Sequence, residues 1–238
     1  MVDGKGGYLV LTNKSCLLDS DFEPHDLVTL KLRATNRGFQ LRNAAAASLE
    51  EMFEAAEQEA GLKLYVKSAY RSFQTQSSMY QNRVERYGKD DNVVAYPGSS
   101  DHQTGLGVDI LNYDWTKREG MTKSFGETKE AQWMEQNAAR FGFILRYMPD
   151  KQEITGIIYE PWHFRYVGSE VAGYIMDKRL SLEEFDVSLK KAIADYENRG
   201  GDFVALCREL NAPPEPVILS QEGEEGEPEV SLFYQKTP

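Results

Sequence analysis

The sequence predicts an α+β domain with a central, mainly antiparallel sheet and flanking helices. Two observations carry this. Helical periodicity gathers early and late in the chain, while strand-like segments cluster between. The regular strand–helix alternation of a parallel sheet is missing, and that order favours segregated helices and antiparallel pairing. With 238 residues and 41% hydrophobic content, the chain can fill one good-sized core.

The elements follow in order. Residues 8–12, Tyr-Leu-Val-Leu-Thr, read as a short strand. Residues 43–60 are rich in Ala and Glu, with Leu49, Met52, Phe53 and Ala56 at helical spacing and Gly61 as a C-terminal cap. Leu62, Leu64 and Val66 then alternate with polar neighbours, which marks a half-buried strand ending near Ser68 to Arg71. Residues 73–87 read as a second helix stopped by Gly88. Residues 89–101 contain Pro97, Gly98, Ser99 and Ser100 and read as a loop. A strand over 107–111, a helix over 127–141, and strands over 143–147, 154–159 and 162–167 follow. Ser169 reads as the cap of a helix to Lys178. Ser181 with Glu184 forms a capping box for a last helix ending at Gly200. Residues 1–200 thus read as the domain. Residues 201–238 read as a tail with a Pro-, Glu- and Gly-rich linker over 212–229 and a closing strand over 230–234.

Composition narrows the function. The formal net charge of -11 argues against nucleic-acid binding, which needs clustered Lys and Arg. No run reaches the roughly 18 apolar residues of a membrane span, and a basic, apolar leader is not seen at the N-terminus. Cys16 and Cys207 lie outside any CxxC pair, so a cysteine zinc site is not expected. They read either as two buried thiols or as one disulfide. A monomer is expected.

Three segments carry chemistry. In the first, residues 97–110, His102 and Asp109 are separated by six residues, with Gly105 and Gly107 between them. Asp109 sits between apolar neighbours in a strand, where a buried carboxylate needs a partner such as a metal ion. In the second, residues 159–166, Glu160 precedes a proline and His163 follows three residues on. His163 can ligate while Glu160 stays off the metal as a base. His102, Asp109 and His163 then form a three-ligand zinc site with an open fourth position. Zinc brings the pKa of a water towards about 7, and Glu160 would carry its proton to the leaving amine. In the third, residues 68–76, Arg71 ends a strand and can steady an oxyanion or grip a carboxylate. Gln76, one turn into the helix, can hydrogen-bond a peptide. His25, in Glu23-Pro24-His25-Asp26, reads as an exposed turn.

These segments resemble the D,D- and L,D-carboxypeptidases of the VanY and LdcB type, within the D-Ala-D-Ala metallopeptidase group. The resemblance rests on Ser68-Ala69-Tyr70-Arg71-Ser72 with Gln76, on Pro97 through Asp109, and on Glu160 through Gly168. It implies zinc on His102, Asp109 and His163, Glu160 as base, and Arg71 at the transition state. It further implies Gln76 and Ser100 at the substrate, with Tyr70 and Trp162 beside them. The implied fold is that of the hedgehog and DD-peptidase type. The implied partner is the peptidoglycan stem peptide, and the implied compartment is extracytoplasmic. Asp101 departs from the Glu common before the histidine, and Gly107 from a common Ala. A D-Ala-D-Ala dipeptidase, a peptidoglycan endopeptidase and a zinc-bearing cell-wall binding module are the alternatives. Glu160 argues against the last, since a module that does not cut needs no base.

Overall fold

The computed structural model describes residues 7–88 and 93–210. The chain divides into two compact units, Met1–Ala192 and Ile193–Pro238. The linker expected over 212–229 and the strand expected over 230–234 lie outside the described residues.

In the first unit, β1 (Leu27–Thr29) and β2 (Gln40–Arg42) form an antiparallel pair. The chain passes straight from β2 into α1 (Asn43–Ala60). Leu49, Met52, Phe53 and Ala56 bury one stripe of α1, as their spacing predicts. Gly61, at φ 67°, ends the helix and donates to the Glu57 carbonyl. Next come β3 (Leu64–Ser68) and α2 (Phe73–Tyr87). The Ser72 side chain caps α2, and Gly88 terminates it at φ 74°.

The strand β4 (Gly107–Asn112) leads into α3 (Tyr113–Thr116), whose first turn is capped by the Asn112 side chain. Thr128 caps α4 (Lys129–Asn137), and a 3-10 turn, Ala138–Phe141, carries it to Gly142. Then come β5 (Phe143–Leu145), α5 (Gln152–Thr155), β6 (His163–Tyr166), α6 (Ser169–Asp177) and α7 (Leu182–Asn198). Ser181 and Glu184 form the predicted capping box at α7: each side chain accepts from the other's backbone N–H.

The four-stranded sheet has the order β3-β4-β6-β5, with every pairing antiparallel. Its two faces differ. Val108 and Ile110 of β4, Phe143 and Leu145 of β5, and Phe164 of β6 join Leu49, Met52 and Phe53 of α1 in the main apolar core. Burying each such side chain contributes roughly 1.5–3 kcal/mol. Strand periodicity sends Asp109, His163 and Arg165 to the opposite face. Ile144, on that same side of β5, packs into a smaller cluster with Val167, Ile175 and Leu182.

A polar core lies beyond these strands. The fully buried Asp101 carboxylate accepts from Arg146 Nε at 3.0 Å, from Thr12 Oγ1 at 3.0 Å and from Arg165 Nη1. Arg146 turns its outer edge to Glu183 in a bidentate pair of 2.7 and 2.8 Å. Arg165 Nη2 donates to the carbonyls of Val10 at 2.7 Å and Tyr8 at 3.1 Å. Two guanidiniums therefore meet two carboxylates, and the charges balance.

This network explains the main departure from the sequence expectation. Residues 8–12 form no strand, because side-chain guanidiniums take carbonyls that a ladder would have used. Residues 154–159 form no strand either. Ile154 and Thr155 complete α5, and Gly156 caps it at φ 71°. Ser169 opens α6 as its first helical residue, and Gly168 occupies the cap position. The pair β1–β2 and the short helices α3 and α5 escaped the sequence reading. So did α8 (Phe203–Leu210), which belongs to the second unit. There Asp202 caps α8 through the Ala205 N–H, and Gly201 lies where a Cβ would meet the Tyr196 ring at 2.3 Å. Cys207 is half-buried, and Cys16, expected buried or paired, is an exposed free thiol of the first unit.

Burial alone would raise the pKa of Asp101. The Arg165 and Arg146 guanidiniums outweigh it and hold the carboxyl well below the usual range. The stability this contributes is complete above the unfolded carboxylate pKa of about 3.9. It is lost as pH falls through the lower folded value. Arg146→Met strips one guanidinium from Asp101 and leaves Glu183 unpaired, so it should cost about 3–5 kcal/mol. Urea unfolding at pH 7 measures this, and a loss below about 1 kcal/mol would contradict the role given to the network.

Candidate functional site

Antiparallel register brings the central residues together. Asp109 of β4 lies directly opposite His163 of β6. On the other side of β4, a register shift in β3 sets Ser68 opposite Asp109. His102 arrives from a different direction, on a 3-10 turn, Asp101–Thr104, that Gly105 closes at φ 67°. A Cβ at Gly105 would lie 2.9 Å from the Arg42 and Leu27 side chains, so glycine is needed for both conformation and space.

The three side chains converge in a buried cluster. His163 Nδ1 lies 2.9 Å from Asp109 Oδ1, and His102 Nε2 lies 3.3 Å from Asp109 Oδ2. One ligating atom from each residue falls within 4.8 Å of the others. His102 Nδ1 sits 2.7 Å from the Ala69 carbonyl, which can only accept. That contact puts the ring proton on Nδ1 and leaves the Nε2 lone pair facing Asp109. Two imidazoles and one carboxylate, with no thiolate, suit zinc in an open three-ligand site. The residues present therefore fit the metal.

Electrostatics agree with that geometry. Burial alone would raise Asp109, yet His102 and His163 hold it well below the usual carboxylate range. Burial lowers His102. It would lower His163 too, but the facing Asp101 and Asp109 carboxylates push that imidazole up to about 9. Ligation of a metal at Nδ1 would release that proton.

Glu160 precedes β6, with its backbone N–H donating to the Tyr147 carbonyl at 3.2 Å. Its own carbonyl accepts from the His163 N–H at 3.0 Å, which holds the Glu160 backbone beside His163. Burial raises its carboxyl to about 8, against the lowering pull of His163. Arg71 stands at the β3–α2 junction and feels the Asp109 and Glu160 carboxylates. Its Nη1 donates to Gln76 Oε1 at 2.7 Å and its Nη2 to Ser68 Oγ at 3.0 Å.

The other expected site residues divide. Tyr70 is half-buried near Glu23, beside Arg71. Ser100 is 3% exposed and precedes the histidine turn. Gln76 is 1% exposed, and both amide atoms are taken, the nitrogen by the Ala95 carbonyl at 2.6 Å. Its Oε1 steadies Arg71. Trp162 is 4% exposed and packs in the main apolar core, behind the site wall.

Sequence reasoning gave no role to Asp101, Arg146, Arg165, Tyr147 or Glu183. The Tyr147 ring stacks at a tilt on His163, 4.9 Å between centroids. The available signal was a charge inside an apolar strand. Arg146 follows Phe-Ile-Leu, and Arg165 sits among His163, Phe164 and Tyr166. A cation in such a place needs a buried partner.

Comparison with known proteins identifies relatives of this chain. Residues 38–169 match the family model VanY, D-alanyl-D-alanine carboxypeptidase. The carboxypeptidase homologue YodJ of Bacillus subtilis (strain 168) is 40% identical over 191 residues, covering 77% of this chain and 68% of YodJ. The solved LdcB LD-carboxypeptidase is 40% identical with a TM-score of 0.70, over 75% of this chain and 85% of that one. A VanY D,D-pentapeptidase variant in complex with Zn(II) is 33% identical with a TM-score of 0.62, over 75% of this chain and 98% of that one. The fold is that of these D-Ala-D-Ala metallopeptidases. With a metal-competent His-Asp-His cluster on the same sheet face as Arg165, the chain belongs to the VanY D-alanyl-D-alanine carboxypeptidase family.

Proposed function

We propose that this protein is a zinc-dependent carboxypeptidase that removes the terminal D-alanine from peptidoglycan stem peptides outside the cytoplasm. The observation that carries the reading is the convergence of His102, Asp109 and His163 next to a buried Glu160. The Zn(II) bound by the VanY neighbour supports the choice of metal.

His102 Nε2, one Asp109 oxygen and His163 Nδ1 would hold the zinc. When bound, zinc supplies Lewis-acid polarisation of the scissile carbonyl and acidification of the attacking water. Glu160 takes the proton from that water and passes it to the departing amine nitrogen. The Arg71 guanidinium offers positive charge to the developing oxyanion. Its aim is fixed by Gln76 and Ser68, so little reorganisation is needed as charge develops. Tyr70, next to Arg71, and Ser100, which leads into the His102 turn, would contact the substrate.

Glu160 must be ionised to accept a proton. Its carboxyl is raised to about 8 before metal binding, and a nearby dication favours the ionised form. The kcat/KM profile should therefore fall on its acid side, at a pH between an ordinary glutamate and about 8. Glu160→Gln should keep zinc, lose that acid limb and slow turnover about 100- to 10,000-fold. Near-wild-type turnover in the zinc-loaded variant would remove Glu160 from this role.

Mass spectrometry of stem peptides tests the substrate. The zinc-loaded protein should release one alanine from a pentapeptide or a tetrapeptide. Release from the pentapeptide alone assigns D,D specificity, and release from the tetrapeptide assigns L,D specificity. No release from either, with zinc confirmed in the protein, would contradict the proposal.

A further inference from the structure

The two imidazoles of the cluster are supported differently. His102 has its outer nitrogen against the Ala69 carbonyl at 2.7 Å. The outer nitrogen of His163, Nε2, is buried and has no hydrogen-bond partner among the described residues. An imidazole that gives its Nδ1 lone pair to a metal carries its proton on Nε2. A buried N–H left without an acceptor is costly.

Asp101 faces that nitrogen, with Oδ2 3.7 Å away. This is longer than a hydrogen bond. The carboxylate nevertheless has capacity left. An ionised carboxylate offers about four lone-pair sites. Among the described residues, Oδ1 accepts from Thr12 and Arg165, while Oδ2 accepts only from Arg146 Nε. One site on Oδ2 is open on the side of His163. The position of Asp101 is closely defined by its surroundings. A Cβ at Gly107 would stand 3.0 Å from the Asp101 carbonyl carbon and Cβ, so glycine there lets the Asp101 backbone lie against β4.

We propose that Asp101 is the acceptor for the Nε2–H of His163 and thereby aims Nδ1 of that ligand at the metal. Asp101 is a positioning residue: it touches neither metal nor substrate and acts through the imidazole. The carboxylate also makes the ring a stronger donor. Thus one ligating histidine is held by a backbone carbonyl and the other by a carboxylate clamped between two arginines. This inference rests on the zinc reading of the site.

The test is zinc affinity of the full chain, stripped of metal and titrated against a chromophoric chelator, with urea unfolding in parallel. Asp101→Asn should weaken zinc binding about 10- to 100-fold. Glu183→Gln is the control: it loosens Arg146 but leaves the Asp101–His163 approach intact, and should bind zinc as the wild type does. If Asp101→Asn does not fold, the charge-balanced Asp101→Asn/Arg165→Gln protein, which keeps the Arg146–Glu183 pair, takes its place with the same expected loss. Wild-type zinc affinity in the Asp101 variants would overturn the proposal. So would equal weakening by Glu183→Gln, which would reduce Asp101 to a purely structural role. A wild-type protein that binds no zinc would refute the zinc reading itself, and this inference with it.

Discussion

The site depends on one buried carboxylate held by two buried guanidiniums. Asp101, Arg146 and Arg165 are among the most completely buried side chains of the first unit. Removing such charges from water is expensive, and only close pairing offsets the cost. Here each guanidinium has a second task. Arg146 ties Glu183 at the start of α7 to the histidine turn, and Arg165 ties the carbonyls of the N-terminal segment to β6. Five stretches distant in sequence are locked into one arrangement around the residue that precedes His102. A uniform apolar core would offer comparable stability but no such directional constraint.

Upon that base, sheet geometry does the rest. Alternation along β4 and β6 places Asp109 and His163 on the face away from α1, and antiparallel register sets them side by side. The apolar partners of the same strands, Val108, Ile110 and Phe164, anchor the other face in the main core. Function and folding thus use opposite sides of the same strands. A shift of one residue in β6 would exchange them, so burial of Phe164 also protects the position of His163.

Much of this was legible in the sequence, for physical reasons that can be named. The bounds of α1 and α2 follow from glycines at left-handed positions and from the Ser72 cap, all local signals. The clustering of His102, Asp109 and His163 was legible because a buried carboxylate in a strand needs a partner, and the imidazoles were the candidates at hand. The arginine network was not, because it joins Thr12, Asp101, Arg146, Arg165 and Glu183 across most of the first unit. The same network misled the reading of residues 8–12, whose apolar pattern suits a strand but whose carbonyls serve Arg165. Trp162 and Gln76 show a further limit. Adjacency to a motif does not say what a side chain touches: Gln76 bonds Arg71 and the Ala95 carbonyl, and Trp162 packs in the apolar core.

The central claim is that His102, Asp109 and His163 form an open zinc site. X-ray absorption at the zinc edge of the stoichiometrically loaded protein tests it most directly. The account predicts two imidazole nitrogens at about 2.0–2.1 Å, oxygen for the remaining ligands and no sulfur. His163→Ala should remove one imidazole from that shell. A sulfur ligand, or a spectrum unchanged by His163→Ala, would contradict it.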